Sequence, residues 1–202
     1  MDRKIITVGF GSLALIAAAT LLAFFFSRNE SFRGATYAEP YPPAPYFELT
    51  QPSGDMFRLS DLRGKIVLLF FGYTYCPDVC PATLAELNQA LYKLQNSADS
   101  IQVVFVSVDP DRDTPESTQE YVERFNPSFI GLSGSMDELE KIWQDYDIFR
   151  EVVVSDSNLT TVSHTARVIL IDQDGSMRLS YAFGTPVADI VFDLNLILEA
   201  SR

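Results

Sequence analysis

Cys76 and Cys80 are the two cysteines of a 202-residue chain, and His164 is its single histidine. The cysteines stand at i and i+4 in Gly72-Tyr73-Thr74-Tyr75-Cys76-Pro77-Asp78-Val79-Cys80-Pro81. Two cysteines do not make the disulfide framework of a small secreted fold, so the thiols read as kept for a site. They follow a continuous apolar run at 66–71 (IVLLFF) and precede a helical pattern that starts at Pro81. In an open α/β sheet, the carboxyl end of a strand is where ligands gather. A helix N-terminus adds free N–H groups and positive dipole, which lower a thiol pKa. The placement therefore predicts reactive sulfur. The plainer alternatives are two buried small hydrophobes or a static disulfide; Pro77, Asp78 and Pro81 beside the sulfurs argue against burial.

His164 lies in Ser163-His164-Thr165, at the end of a polar loop and just before an expected strand. Taken alone, such a histidine is an ordinary surface or hydrogen-bonded residue. Beside two thiols that the fold could bring opposite, it becomes a ligand candidate. Two thiolates and one imidazole form a soft, low-coordination set that suits trigonal Cu(I), and the imidazole can also help keep Cu(II). A structural zinc site would want four ligands, and no third cysteine or second histidine exists to complete one. Asp78 could add a carboxylate, though the spacing does not demand it. Binding needs deprotonated sulfur, so affinity should fall with acidity and vanish when the pair is a disulfide.

The elements expected to position these residues alternate between strand and helix. Residues 46–50 and 56–59 flank a Pro-Ser-Gly-Asp turn and read as a hairpin. The run 66–71 reads as a central strand covered on both faces. Leu84, Leu87, Leu91 and Leu94 give the next helix one buried stripe. A second buried strand spans 102–108 and leads into DPDRDTP, where Thr114 caps a helix opened by Pro115. A short strand follows at 129–132, and Ser135 with Glu138 forms a capping box for a helix through Trp143 and Tyr146. A strand at 152–154 and a polar loop through Thr165 come next. Residues 167–172 and 177–182 bracket Asp174-Gly175 as a hairpin, and 186–200 is a closing amphipathic helix. This order predicts an α/β sandwich with a mixed central sheet flanked by helices.

Ahead of the domain, residues 5–26 carry no charge over 22 positions. At helical rise that covers the ~30 Å hydrocarbon core of a bilayer. A cleaved signal peptide would have a shorter apolar core and a small-x-small cleavage site; Phe24-Phe25-Phe26-Ser27 offers a poor one, so an uncleaved anchor is the preferred expectation. Residues 1–27 are thus assigned as membrane anchor, 28–45 as a Pro-rich spacer and 46–202 as the domain. The basic Arg3 and Lys4 favour leaving the N-terminus in the cytoplasm. The net charge of −12 repels phosphate backbones and excludes nucleic acid as a natural partner.

Three separated motifs, GYT followed by CPDVCP (Cys76 to Pro81), DPDRDTP (Asp109 to Pro115) and Ser163-His164-Thr165 ahead of a strand, resemble the Sco/SenC family of copper proteins. The resemblance covers the chain from about Tyr46 to its end. It implies a thioredoxin-like fold with Cys76, Cys80 and His164 as copper ligands. It also implies a part in building the dinuclear copper centre of a cytochrome c oxidase subunit, with an upstream copper donor or thiol reductant as a further partner. Some members are thought to reduce the thiols of that subunit, so a thiol–disulfide oxidoreductase using Cys76 and Cys80 is the alternative. A peroxiredoxin pattern is not met, since Leu69 and Tyr73 stand where it needs Pro and Thr. The N-terminus lacks the Arg- and Ser-rich look of a mitochondrial presequence. A bacterial inner membrane, with the domain facing the periplasm or exterior, is therefore expected.

Overall fold

The structure is a computed structural model that describes residues 31–154 and 160–200. The expected anchor at 1–27 lies outside the described residues. Among the described residues no helix is long and apolar enough to cross a membrane.

Strand β4 (Ile66–Gly72) is the centre of the molecule, with every residue buried. Its run of branched and aromatic side chains suits a strand covered on both faces. It pairs in parallel with β5 (Ile101–Ser107), which pairs in parallel with β6 (Ile130–Leu132). On its other side it runs antiparallel to β9 (Arg167–Ile171), then β10 (Met177–Ala182) and the short edge strand β1 (Ala35–Thr36). The sheet is therefore mixed, as expected. Neighbours along a strand face opposite sides, and Phe70 and Phe71 show what covers each. Phe70 stacks edge-on against Phe105, which meets Tyr121 of helix α2 (Pro115–Glu123). Phe71 meets Tyr146 at the end of helix α3 (Met136–Asp145), and Tyr146 meets Phe47 beside the small hairpin β2 (Glu48–Thr50) and β3 (Met56–Arg58).

Helix α1 (Val79–Leu94) leaves the cysteine loop and buries Leu84, Leu87, Leu91 and Leu94 on one stripe, as their spacing predicts. It packs against the closing helix α4 (Val187–Ala200). Both expected helix starts are present. Thr114 accepts from the Ser117 N–H, and Ser135 and Glu138 form the reciprocal capping box. The Asp174-Gly175 hairpin also holds, with Gly175 at φ 77° where a side chain would be strained.

Two expectations are corrected. Composition marks residues 28–45 as a spacer, yet residues 32–45 belong to the domain. Strand β1 pairs with β10, and Tyr37 N–H donates to the Arg178 carbonyl, Met177 N–H to the Pro42 carbonyl and Ala44 N–H to the Gly175 carbonyl. The buried Asp193 of α4 accepts the Arg33 and Gly34 N–H groups, each at 2.8 Å. Proline content gave the segment a linker's composition, while Phe32, Tyr37 and Ala44 give it the apolar side chains to pack on the core. The polar loop before Thr165 is the second correction. Thr160–His164 forms strand β8, antiparallel to β7 (Arg150–Val154). Its alternation buries Val162 and leaves Thr and Ser less covered, the two-residue period of a half-buried strand.

Candidate metal centre

The cysteine loop leaves β4 at the carboxyl end of the parallel strands. Val108 N–H donates to the Gly72 carbonyl at 2.7 Å, tying the exits of β4 and β5 together. The chain then turns tightly, with Cys76 N–H donating to the Tyr73 carbonyl at 3.2 Å. Cys80 falls in the first turn of α1, and its backbone N–H points at Cys76 Sγ at 3.4 Å. Both thiols are free; Cys80 is buried and Cys76 is partly exposed.

That asymmetry separates their acidities. The Cys80 thiol donates to Cys76, which lowers the Cys76 pKa to about 5 against the opposing effect of burial. The N–H groups of Cys80 and Asp78 act in the same lowering direction. Cys80 is pushed far up, first by its role as donor to Cys76 and then by burial. Cys76 is therefore the thiolate and Cys80 the proton holder.

DPDRDTP approaches this loop from the end of β5. Beyond the Thr114 cap, it supplies a buried carboxylate. Asp113 accepts from Thr74 N–H at 3.1 Å, from the Thr74 hydroxyl and from Ser107 Oγ at 2.6 Å. Burial raises its pKa, while those three donors oppose the shift. Asp113 thus pins the start of the cysteine loop to Ser107 at the end of β5.

His164 is the last residue of β8. Its Nδ1 lies 3.2 Å from the Val162 carbonyl, which can only accept, so the proton sits on Nδ1. Nε2 then carries the free lone pair, and it is buried with no hydrogen-bond partner among the described residues. Metal-bound histidines commonly donate their other N–H to such a carbonyl. The ring stands edge-on to Tyr73, with centroids 5.7 Å apart. His164 and Cys76 line one surface pocket together with Tyr73, Pro77, Asp78 and Thr161. The donor set fits a soft cation: a thiolate, a thiol that deprotonates on binding, and a free imidazole nitrogen.

The structure brings the two cysteines into contact and sets His164 in the wall of the same pocket. It does not place all three at ligand distance: among the described residues no three His, Cys, Asp or Glu side chains stand close enough together to hold a metal ion. Asp78 lines the pocket as well. Three further residues shape the site, namely Tyr73, Arg112 and Asp113. Each lies within a sequence motif, GYT or DPDRDTP, but motif membership carried no indication of what these side chains touch.

A reactive cysteine pair set between the central strand of a mixed sheet and the helix that follows it defines a thioredoxin-like protein. The chain belongs to the SCO1/SenC family, whose profile matches residues 35–199. It is 36% identical over 131 residues to an SCO2-like protein of Rickettsia prowazekii, a match covering 64% of each chain. The chain thus spans somewhat less than two thirds of that relative's length. Among solved structures it resembles the apo Sco1 protein of Thermus thermophilus, with a TM-score of 0.74 and 37% identity, over 84% of this chain and 99% of that one. It also resembles the Bradyrhizobium japonicum ScoI solved with copper bound, with a TM-score of 0.69 and 35% identity, over 77% of this chain and 99% of that one.

Proposed function

We propose that this protein is a membrane-anchored copper metallochaperone that carries copper on Cys76, Cys80 and His164. The observation that carries the reading is the buried, partnerless Nε2 of His164 in the wall of the pocket that Cys76 lines. Copper is cargo here. Cys76 meets it as a thiolate, Cys80 gives up its proton on binding, and the imidazole closes the third position. Softness of the donors favours Cu(I), with Cu(II) retained through the imidazole. The copper-bound Bradyrhizobium relative supports the metal. Delivery to the dinuclear centre of a cytochrome c oxidase subunit follows from the family resemblance. So does loading by an upstream donor or prior reduction by a thiol reductant. Residues 5–26 hold the chain in an inner membrane, with the domain facing the periplasm or exterior.

The acidity split favours one other reading, a thiol–disulfide oxidoreductase. The Cys76 thiolate would attack a partner disulfide and expel one partner thiolate. Cys80, once deprotonated, would then attack Cys76 Sγ and release the second, leaving the pair oxidised and the partner reduced.

Anaerobic titration of the reduced protein with Cu(I) separates the two. Metallochaperone function requires one equivalent bound, lost in C76S and C80S and sharply weakened in H164A. Absence of stoichiometric uptake overturns it and leaves the reductase.

A further inference from the structure

Arg112 touches each piece of chain that bears the site. Its guanidinium carbon lies 5.0 Å from the ring centre of Tyr75 and 5.6 Å from that of Tyr73, both in the cysteine loop. Its Nη1 donates to the Thr160 carbonyl at 3.0 Å. Its Nε is hydrogen-bonded to the buried carboxylate of Asp109. Thr160 is the first residue of β8 and His164 the last.

Strands β7 and β8 form a two-stranded sheet separate from the six-stranded one. The main sheet holds the His164 end of the hairpin, since β9 starts three residues later and Val168 pairs with Phe70 of β4; side-chain links hold the rest of it. At the β7 end, Arg150 donates to the Val108 carbonyl at 2.7 Å and lies over the Trp143 ring. That link ties the hairpin to the end of β5 and to α3. Arg112 instead ties it to the loop that carries Cys76. Its Nη2 has no partner among the described residues; stacking, the Asp109 pair and one carbonyl hold the group in place.

We infer that Arg112 is a positioning residue for copper binding: by clamping β8 to the cysteine loop, it holds His164 where its Nε2 can close on a metal held by Cys76 and Cys80. The inference rests on the ligand set proposed above. A planar guanidinium suits the task because one group can stack on two tyrosines while its edges bond a carboxylate and a carbonyl. Lysine would keep the charge and could reach one acceptor, but it lacks the plane.

The test compares the reduced protein with R112Q, R112K, H164A and the R112Q/H164A double variant. Copper affinity is read by competition with a chromophoric Cu(I) chelator, and imidazole coordination by nitrogen coupling in the Cu(II) electron paramagnetic resonance spectrum. R112Q is expected to lose at least about tenfold in affinity and to weaken the nitrogen coupling. The double variant should bind no more weakly than H164A alone, because Arg112 acts through that histidine. R112K should recover only part of the loss, and it carries the test through the same coupling if R112Q does not fold. Wild-type affinity and coupling in folded R112Q or R112K overturn the inference, as does a double variant whose losses add. H164A binding as tightly as the wild type would instead sink the ligand assignment itself.

Discussion

The backbone N–H of Cys80 lies 3.4 Å from Cys76 Sγ, and the Cys80 thiol donates to the same sulfur. Two donors from one residue therefore converge on Cys76, which makes it the more acidic thiol by construction. Helix start, loop turn and thiol pairing all act in one direction.

Alkylation of the reduced protein should report this. Cys76 should react with iodoacetamide with a rate that rises through a midpoint near pH 5, while Cys80 stays unmodified. C80A removes the thiol donor and should move that midpoint upward. The linkage has a definite sign. The Cys76 pKa falls from 9.0 to about 5 on folding, so the unfolded chain binds more protons between those values. This contribution to stability is complete above pH 9 and is lost as the pH falls toward 5. Cys80 is shifted the other way and opposes stability above pH 9. Urea midpoints of wild type and C76S across this range should diverge most at the alkaline end.

Gly72 closes β4 against the same sulfur. A Cβ there would lie 2.8 Å from Cys80 Sγ and 2.7 Å from Phe105 Cε2, both buried. G72A should cost about 1–3 kcal/mol of stability through overpacking. It should also displace Cys80, so Cu(I) affinity and the Cys76 alkylation midpoint should both change. Wild-type values for both in folded G72A would show that the sulfur has room to move.

Asp113 accepts three donors, and two of them are hydroxyls that can reorient. The Thr74 N–H cannot. D113A leaves that N–H unsatisfied beside the cysteine loop and should cost about 1–3 kcal/mol. D113N keeps one acceptor oxygen and should cost less. Thermal denaturation ranks the two, and equal midpoints would argue that water replaces the carboxylate.

Asp193 tests whether residues 32–45 belong to the domain. Its carboxylate is fully buried and accepts the Arg33 and Gly34 N–H groups. D193A should lower stability by roughly 2 kcal/mol and expose the segment around Tyr37 to limited proteolysis. Unchanged cleavage would mean that β1 and the carbonyl contacts of 37–44 suffice to hold it.

Much of the scaffold is written in short stretches. The apolar run of β4, the leucine stripe of α1, the caps at Thr114 and Ser135 and the Asp174-Gly175 turn all depend on neighbours within a few residues. Residues 32–45 and 160–164 are not legible in this way, for the complementary reason. Their conformations depend on distant partners: Asp193, Arg178 and Gly175 for the first, and β7 with Arg112 for the second. Proline and polar content are compatible with either a free or a docked segment, so composition alone could not decide between them.

The cysteine pair divides along the same line. By itself the sequence determined that Cys76 and Cys80 share one loop at a strand end and a helix start, because spacing, flanking prolines and the apolar run are local signals. It also bounded the donor set, since no other cysteine or histidine exists. Only the tertiary structure decided which sulfur carries the charge, because Cys80 is buried and donates while Cys76 opens to the pocket. It also decided how near His164 comes. That distance is set by the short step from His164 to β9, which pairs with β4, and by two arginines that hold the hairpin against loops far away in the chain, and no periodicity or spacing encodes such contacts.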